Sequence, residues 1–271
     1  GIPYNDAESQ GTFFVNLPDF ASSVNSIQIQ RGAGTSTNGA GAFGATVNLG
    51  TNEFNDKAYA EINSSYGSFR TWKNTVKAGS GLLNFTIDAR LSRINSDGYI
   101  DRAFSKLQSF YLSGAYINKK TSVRLNVFSG KEKTYQAWYG LPENLLQENR
   151  TYNAAGTERP GEPYHNQTDN YQQDHYQLFV NHAINSHWNF SLATFLTRGK
   201  GFYEEYKAQQ DYEKYGLDNF ITGNDTLFAT DLIRQRWLDN YLYGQVFSVN
   251  YKKVKDELSI GGSWTDHAGK H

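Results

Sequence analysis

Leu82-Leu83-Asn84-Phe85-Thr86-Ile87-Asp88-Ala89-Arg90-Leu91-Ser92-Arg93-Ile94 is the stretch on which the reading of the fold turns. Leu83, Phe85, Ile87, Ala89 and Leu91 share one face of an extended chain, and Asn84, Thr86, Asp88, Arg90 and Ser92 share the other. Successive side chains of a strand point to opposite faces, so this period of two predicts a strand over 82–94. One face is wholly apolar, yet the other carries a full charge pair, Asp88 and Arg90. A strand set between lipid and a wet lumen satisfies both faces.

Outward from that strand, the chain reads as a meander of nine. Before it come 57–67 and 70–79, joined at Gly67-Ser68, with Ser80-Gly81 turning into 82–94. After it come 107–117 and 122–130, 175–185 and 188–198, and 236–252 and 257–265. The connections alternate in length. Those near Gly81, Lys119, Ser186 and Lys255 are a few residues long, whereas 95–106, 131–174 and 199–235 are long. Short turns at one end and long loops at the other are the pattern of an outer-membrane barrel; a soluble sandwich scatters its loops over both ends. Tyr111, Tyr116, Trp188, Tyr241, Tyr243, Tyr251 and Trp264 are compatible with aromatic girdles, although aromatics also favour strands in general.

Composition narrows the function classes. Among 271 residues, 26 Lys+Arg face 27 Asp+Glu, so no basic excess exists to neutralise a polyanion, and nucleic acid is not an expected partner. Cysteine is absent, which removes disulfides, thiolate zinc sites and a cysteine nucleophile. Methionine is absent too, from which an initiator end lying elsewhere is expected. Aromatics are 15% of the chain and proline only 5 residues, while no long apolar run offers a spanning helix.

The first fifty residues read differently from the meander. A short helix is expected from Pro18 to about Val24, with Pro18 in its first turn and Asp19 beside its N-terminal dipole. Ser26 to Arg31 and Thr46 to Leu49 alternate as strands around a glycine-dense run at 32–44. Gly39-Ala40-Gly41-Ala42-Phe43-Gly44 matches G-x-G-x-x-G in form, but a strand-like stretch follows where a dinucleotide site needs a helix.

Three segments here carry a family resemblance. Gly1-Ile2-Pro3-Tyr4-Asn5-Asp6-Ala7-Glu8-Ser9, Leu17-Pro18-Asp19-Phe20 with Ser26-Ile27-Gln28-Ile29-Gln30-Arg31-Gly32, and the run Gly34 to Leu49 resemble the closing part of the plug of TonB-dependent outer-membrane transporters. Ala33 stands where many members carry proline. The likeness extends along essentially the whole chain, and the loop style is similar to that of Bacteroidetes-type members.

The resemblance implies a mainly β fold: the C-terminal part of an α/β plug domain over 1–52, then the N-terminal part of a transmembrane antiparallel β-barrel over 53–271. Nine strands would be part of a 22-stranded barrel, so a fragment of a longer chain is expected. The implied function is receptor-mediated uptake of a scarce, bulky nutrient at the cell outer membrane, driven by plug movement. A siderophore or other iron complex is the first expectation, with cobalamin, haem and glycan open. Implied partners are the TonB-ExbB-ExbD energy-coupling complex (contacting a motif outside this chain), the extracellular ligand, outer-membrane lipid and a surface lipoprotein. No cofactor is expected.

Candidate site residues follow. The resemblance makes Arg31 the plug arginine that pairs with barrel carboxylates in the closed state, against the alternative of a solvated strand-end arginine. In the long loop, Tyr135, Trp138, Tyr139, His165 and Tyr171 are the residues chosen for ligand recognition, because aromatics with a few polar groups suit flat, glycan-like or chelate ligands. A loop packed on itself is the competing reading. Loop 199–235, with Tyr203, Glu204, Glu205, Tyr206, Tyr212 and Tyr215, has a helical look and could cover the mouth. Glu204 and Glu205 are adjacent and face different ways, no nucleophile triad is legible, and the six histidines are scattered, with His182 and His187 lacking metal-ligand spacing, so an enzyme is not expected. Two rivals stay open: a soluble or surface β-rich binding or adhesion module recognising glycans through the aromatic loops, and a small complete porin-like barrel.

Overall fold

The computed structural model describes residues 1–32, 44–51 and 54–270. Most of the glycine-dense run, and with it the G-x-G-x-x-G match, lies outside the described residues. β1 (Ser26–Arg31) and β2 (Ala45–Gly50) pair antiparallel as a separate hairpin. The remaining long strands form one antiparallel sheet of nine: β3 (Tyr59–Gly67), β4 (Thr71–Leu82), β5 (Phe85–Ser96), β6 (Ser105–Ile117), β7 (Thr121–Tyr135), β8 (Thr168–Ala183), β9 (Trp188–Asp211), β12 (Ala229–Lys253) and β13 (Asp256–Lys270). Each pairs with its neighbours in chain order, so the sheet is an up-and-down meander. A small hairpin, β10 (Phe220–Thr222) with β11 (Asp225–Leu227), caps the connection between β9 and β12.

Burial is inverted relative to a soluble domain. On β5 the apolar face is the exposed one: Phe85 is 61%, Ile87 54% and Leu91 65% accessible. The polar face is the covered one, with Thr86, Arg90 and Ser92 all buried. The ladders carry this inversion across the sheet, because directly paired residues lie on the same face. Val76, Leu91 and Phe110 form one continuous exposed row, as do Leu125 and Leu178. The lower rim of this apolar band carries Phe85 against Tyr116 and Trp188 against Tyr251, each pair 4.9 Å between centroids.

Three expectations need correction. The turn before β5 is not Ser80-Gly81: β4 continues to Leu82 and turns at Leu83-Asn84, with Leu83 at φ 55. Gly81 is there for a close approach, since a Cβ would lie 1.7 Å from the Asn55 carbonyl oxygen on the segment leading into β3. The helix expected from Pro18 to Val24 is two 3₁₀ turns, Phe14–Asn16 and Phe20–Ser23. Asp19 adopts φ 54 and sends its carboxylate to the barrel wall instead of capping the turn. The helical look of 199–235 is also wrong, because β9 runs on to Asp211 and β12 begins at Ala229. Only Glu213–Tyr215 makes a single 3₁₀ turn. A strand of ~10 residues is long enough to cross a bilayer, and β9, with 24, and β12, with 25, are more than twice that length.

Candidate functional site

The described N-terminal segment meets the inner face of the sheet chiefly through the Asp19 carboxylate, and Glu8 Oε1 lies 3.7 Å from His267 Nε2 on β13. Asp19 accepts hydrogen bonds from Thr75 Oγ1 (2.7 Å) and Ser92 Oγ (2.6 Å) on one oxygen, and from Ser22 Oγ (2.6 Å) and Lys73 Nζ on the other. Arg90 Nη1 stands 3.4 Å from Oδ2, with its side chain 1% exposed and that of Asp19 3%. Arg90 also donates to Ser23 Oγ (2.7 Å) and Ser109 Oγ (3.1 Å), and Ser109 in turn donates to the Pro18 carbonyl (2.6 Å). Burial works against the Asp19 charge, but the bonds from Lys73, Ser22, Ser92 and Thr75 outweigh it and hold the carboxyl at about 2.

Around this polar clasp lies the only apolar cluster formed by buried residues among those described. Leu17 and Phe20 from the N-terminal segment pack on Tyr111 and Phe128 from the sheet, with Tyr4 alongside. Phe20 and Phe128 are 5.1 Å apart, and Phe128 stacks on His175 at 4.5 Å. Gly130 makes this approach possible: a Cβ there would sit 2.2 Å from the Asn16 carbonyl oxygen and 2.6 Å from Pro18 Cδ. Beside the clasp, a polar cleft of about 280 Å³ is lined by Asn55, Tyr59, Lys77, Asp88, Tyr111 and Arg124, among others. Tyr59 donates to Asp88 (2.6 Å), whereas the buried Tyr111 hydroxyl has no partner among the described residues.

At the opposite end, the loop 136–167 is pinned to the projecting strands. Tyr164 Oη and Asn166 Nδ2 donate to one oxygen of Glu204 (2.6 and 2.5 Å), and Gln235 Nε2 donates to the other (2.7 Å). Burial and the adjoining Glu204 charge push the Tyr164 phenol up to about 12. Glu205 points to the other face and pairs with Arg234 at 2.7 Å. Of the residues chosen for recognition, Tyr135 is 4% exposed. Its hydroxyl donates to the carbonyls of Ala155 (3.1 Å) and Tyr164 (2.7 Å) and accepts from Arg102, so it holds the loop in place. Trp138 and Tyr139 are exposed, at 58% and 45%, and Trp138 meets Tyr203 edge-on while Arg236 donates to the Tyr203 hydroxyl. His165 is exposed beside Tyr164. Tyr171 lies on β8, half-buried, donating to Asn240 Oδ1 (3.2 Å). No ring contact among the described residues joins Trp138 or Tyr139 to His165 or Tyr171, so the five candidates are not one cluster.

Solved structures give the architecture its context. The open form of the ferric-catecholate import receptor Fiu from E. coli K12 superposes with a TM-score of 0.67 at 14% identity, over 95% of this chain and 40% of that one. The siderophore receptor PiuA from Acinetobacter baumannii gives 0.67 at 10% identity, over 97% and 36%. The copper transporter OprC gives 0.65 at 10%, over 91% and 33%. The chain shares its fold with siderophore import receptors. It spans about two fifths or less of the length of these three structures. No protein-family model and no curated protein sequence matches it.

Within this siderophore-receptor fold, Arg31 ends β1 exposed, with no ion pair to any described carboxylate. A buried charged contact between the N-terminal segment and the sheet runs through Asp19, which the sequence marks only as a helix-dipole residue. One signal was available: a lone carboxylate between Pro18 and Phe20, opposite a strand whose wet face carries Arg90 and Ser92. Among the described residues no group of three His, Cys, Asp or Glu is placed to hold a metal ion.

Proposed function

We propose that this chain is part of a TonB-dependent outer-membrane receptor that takes up a bulky iron complex, a siderophore first. The observation that carries the reading is the inverted sheet: its apolar face is bare, and its polar face is filled by a plug-like segment clasped through Asp19. An exposed apolar face of this extent needs lipid to cover it, and a polar lumen needs something to block it. A soluble adhesion module would have to hide the row Val76, Leu91 and Phe110 against a second sheet, and among the described residues none lies there.

In this reading residues 1–52 are plug and 53–271 barrel, the nine strands belong to a larger, Bacteroidetes-type barrel, and the chain is not an enzyme. The receptor sits in the outer membrane, is driven by TonB-ExbB-ExbD and works with a surface lipoprotein. Trp138, Tyr139, His165 and Tyr171 contact ligand, with Tyr135 setting the loop that presents them. Binding above the plug loosens the Asp19 clasp, and force from TonB then opens a path along the wall. Arg31 enters as a gating residue; Arg31→Ala that leaves both antibiotic leakage and uptake unchanged removes it from the mechanism.

The test is uptake of radiolabelled ferric catecholate, ferric hydroxamate and haem by iron-starved cells with and without the protein, before and after a protonophore. Energy-dependent uptake of one of these, lost with the protein, is expected. Equal uptake of all three in both strains refutes the iron reading.

A further inference from the structure

Two residues beyond the Gly130 contact, towards loop 136–167, the inward face of β7 carries Glu132, which is 3% exposed. The one hydrogen bond to its carboxylate among the described residues comes from Thr134 Oγ1 (3.3 Å). Thr134 stands directly opposite Asp169 on β8, and the Gln136 N–H donates to the Gln167 carbonyl (2.9 Å), carrying the pairing past the strand ends. Alternation along each strand then sets Glu132, Thr134 and Gln136, with Asp169 and Gln167, on one face in three successive rows. Gln136 is 1% and Gln167 6% exposed, and the Oε1 of each is buried without a donor among the described residues. The Gln136 amide is held by donation from Nε2 to the Glu204 carbonyl (3.0 Å).

These rows offer oxygens, and no cation answers the two carboxylates. Neither Glu132 nor Asp169 forms an ion pair among the described residues, although the Asp169 charge reaches Glu132. Lys131 and Lys133 fall on the opposite face of β7, where Lys133 Nζ donates to Asn166 Oδ1 (2.9 Å). Arg102 donates to the Tyr135 hydroxyl and to the carbonyls of Asn153 and Ala155, and Arg236 donates to the Tyr203 hydroxyl. The same-face neighbours Leu107 on β6, Tyr171 on β8 and Tyr203 on β9 bring no positive charge. Two like charges set beside undonated amide oxygens and out of water are strongly unfavourable unless a positive charge joins them.

We propose that this spot binds a calcium ion through the carboxylates of Glu132 and Asp169, the side-chain carbonyls of Gln136 and Gln167 and the Thr134 hydroxyl. Diagonal neighbours on paired strands lie about 7–8 Å apart, so both carboxylates can reach a point between them. Two carboxylates balance a divalent charge, and neutral oxygens complete the shell of a hard cation without a third acidic ligand. Zinc and softer metals favour nitrogen and sulfur, and magnesium demands a stricter octahedron and keeps its waters. Gln136 and Gln167 are the two roots of loop 136–167, so the ion ties the ends of that loop to the wall. The site depends on the local pairing of β7 with β8 and not on the membrane reading.

The test is calorimetric titration of calcium chloride into the detergent-solubilised protein after treatment with a chelator. Binding with a dissociation constant of about 0.1–1 mM is expected, the range of extracellular calcium modules, with magnesium about tenfold or more weaker. Glu132→Gln with Asp169→Asn is expected to abolish the calcium heat, and Gln167→Leu, which spares both carboxylates, to weaken it. Asp225→Asn, on the distant β11, is expected to leave it unchanged. Calcium is also expected to protect loop 136–167 from protease in the wild-type protein. A wild-type protein that gives no calcium heat overturns the proposal, because protons or water then satisfy the pair. Magnesium binding as tight as that of calcium overturns the choice of ion. A double variant that binds like wild type, or a Gln167→Leu variant that does so where the double variant fails to fold, overturns the location.

Discussion

Replacing Asp19 should release the plug end from the wall. Asp19→Ala removes the acceptor of bonds from Lys73, Thr75, Ser92 and Ser22, and strands the Arg90 guanidinium, 1% exposed, without its counter-charge. Breaking a buried pair from one side costs about 3–5 kcal/mol, because the remaining charge stays desolvated. Asp19→Asn preserves the shape and one acceptor, so about 2 kcal/mol is expected. Arg90→Gln added to Asp19→Asn should restore part of that loss, since the uncompensated cation goes with it. The assay is amide hydrogen exchange of residues 14–24 in the detergent-solubilised protein, read by mass spectrometry. A loss of 3 kcal/mol corresponds to more than about a hundredfold faster exchange if the segment opens locally. Exchange within twofold of wild type in Asp19→Ala would refute the claim that this carboxylate clasps the plug. So would a double variant that is no better than Asp19→Asn.

The same carboxylate predicts a pH dependence. Its folded value of about 2 lies below the ordinary 3.8, so the clasp stabilises fully above pH 4 and weakens as pH falls through 4 towards 2, worth about 2 kcal/mol in all; exchange of 14–24 at pH 3 against pH 7, corrected for intrinsic rates, checks it. Gly130→Ala should push Asn16 and Pro18 off the wall and cost about 1–3 kcal/mol in chemical denaturation, whereas Gly114→Ala, where a Cβ meets nothing within 4 Å, should be neutral there. Tyr135→Phe should sensitise loop 136–167 to protease by removing the Tyr135 hydroxyl from the Tyr164 carbonyl, while Ala155 keeps its bond from Arg102, at about 1–3 kcal/mol. Trp138→Ala should leave protease resistance unchanged and weaken ligand binding. A nitroxide at Ile87 should be reached by lipid-dissolved oxygen, and one shielded by protein instead would contradict the outward assignment of that face.

Much of the barrel was legible because its signal is local. Alternation along 82–94 follows from the period of two, and the contrast between short and long connections is a property of spacing alone, so the nine strands and the wet and dry faces could be read from residue order. Strand ends were less legible. Nothing in Gly81 announces that its missing side chain makes room for Asn55 from a different segment, and the same letters fit a turn equally well. The parts of β9 and β12 next to their connection were missed because they lose the apolar face that marks a strand; cross-strand partners keep them extended.

The site was legible only in part. Exposed aromatics such as Trp138 and Tyr139 could be picked by type, but Tyr135 has the same type and is consumed by carbonyls from residues 155 and 164. Sequence by itself determined the architecture, since face polarity repeats within each strand and needs no distant partner to be expressed. Tertiary structure alone decided that Asp19 makes a buried charged contact with the sheet. A carboxylate becomes a clasp only when Lys73, Thr75, Arg90 and Ser92, on two strands more than fifty residues away, converge on it out of water.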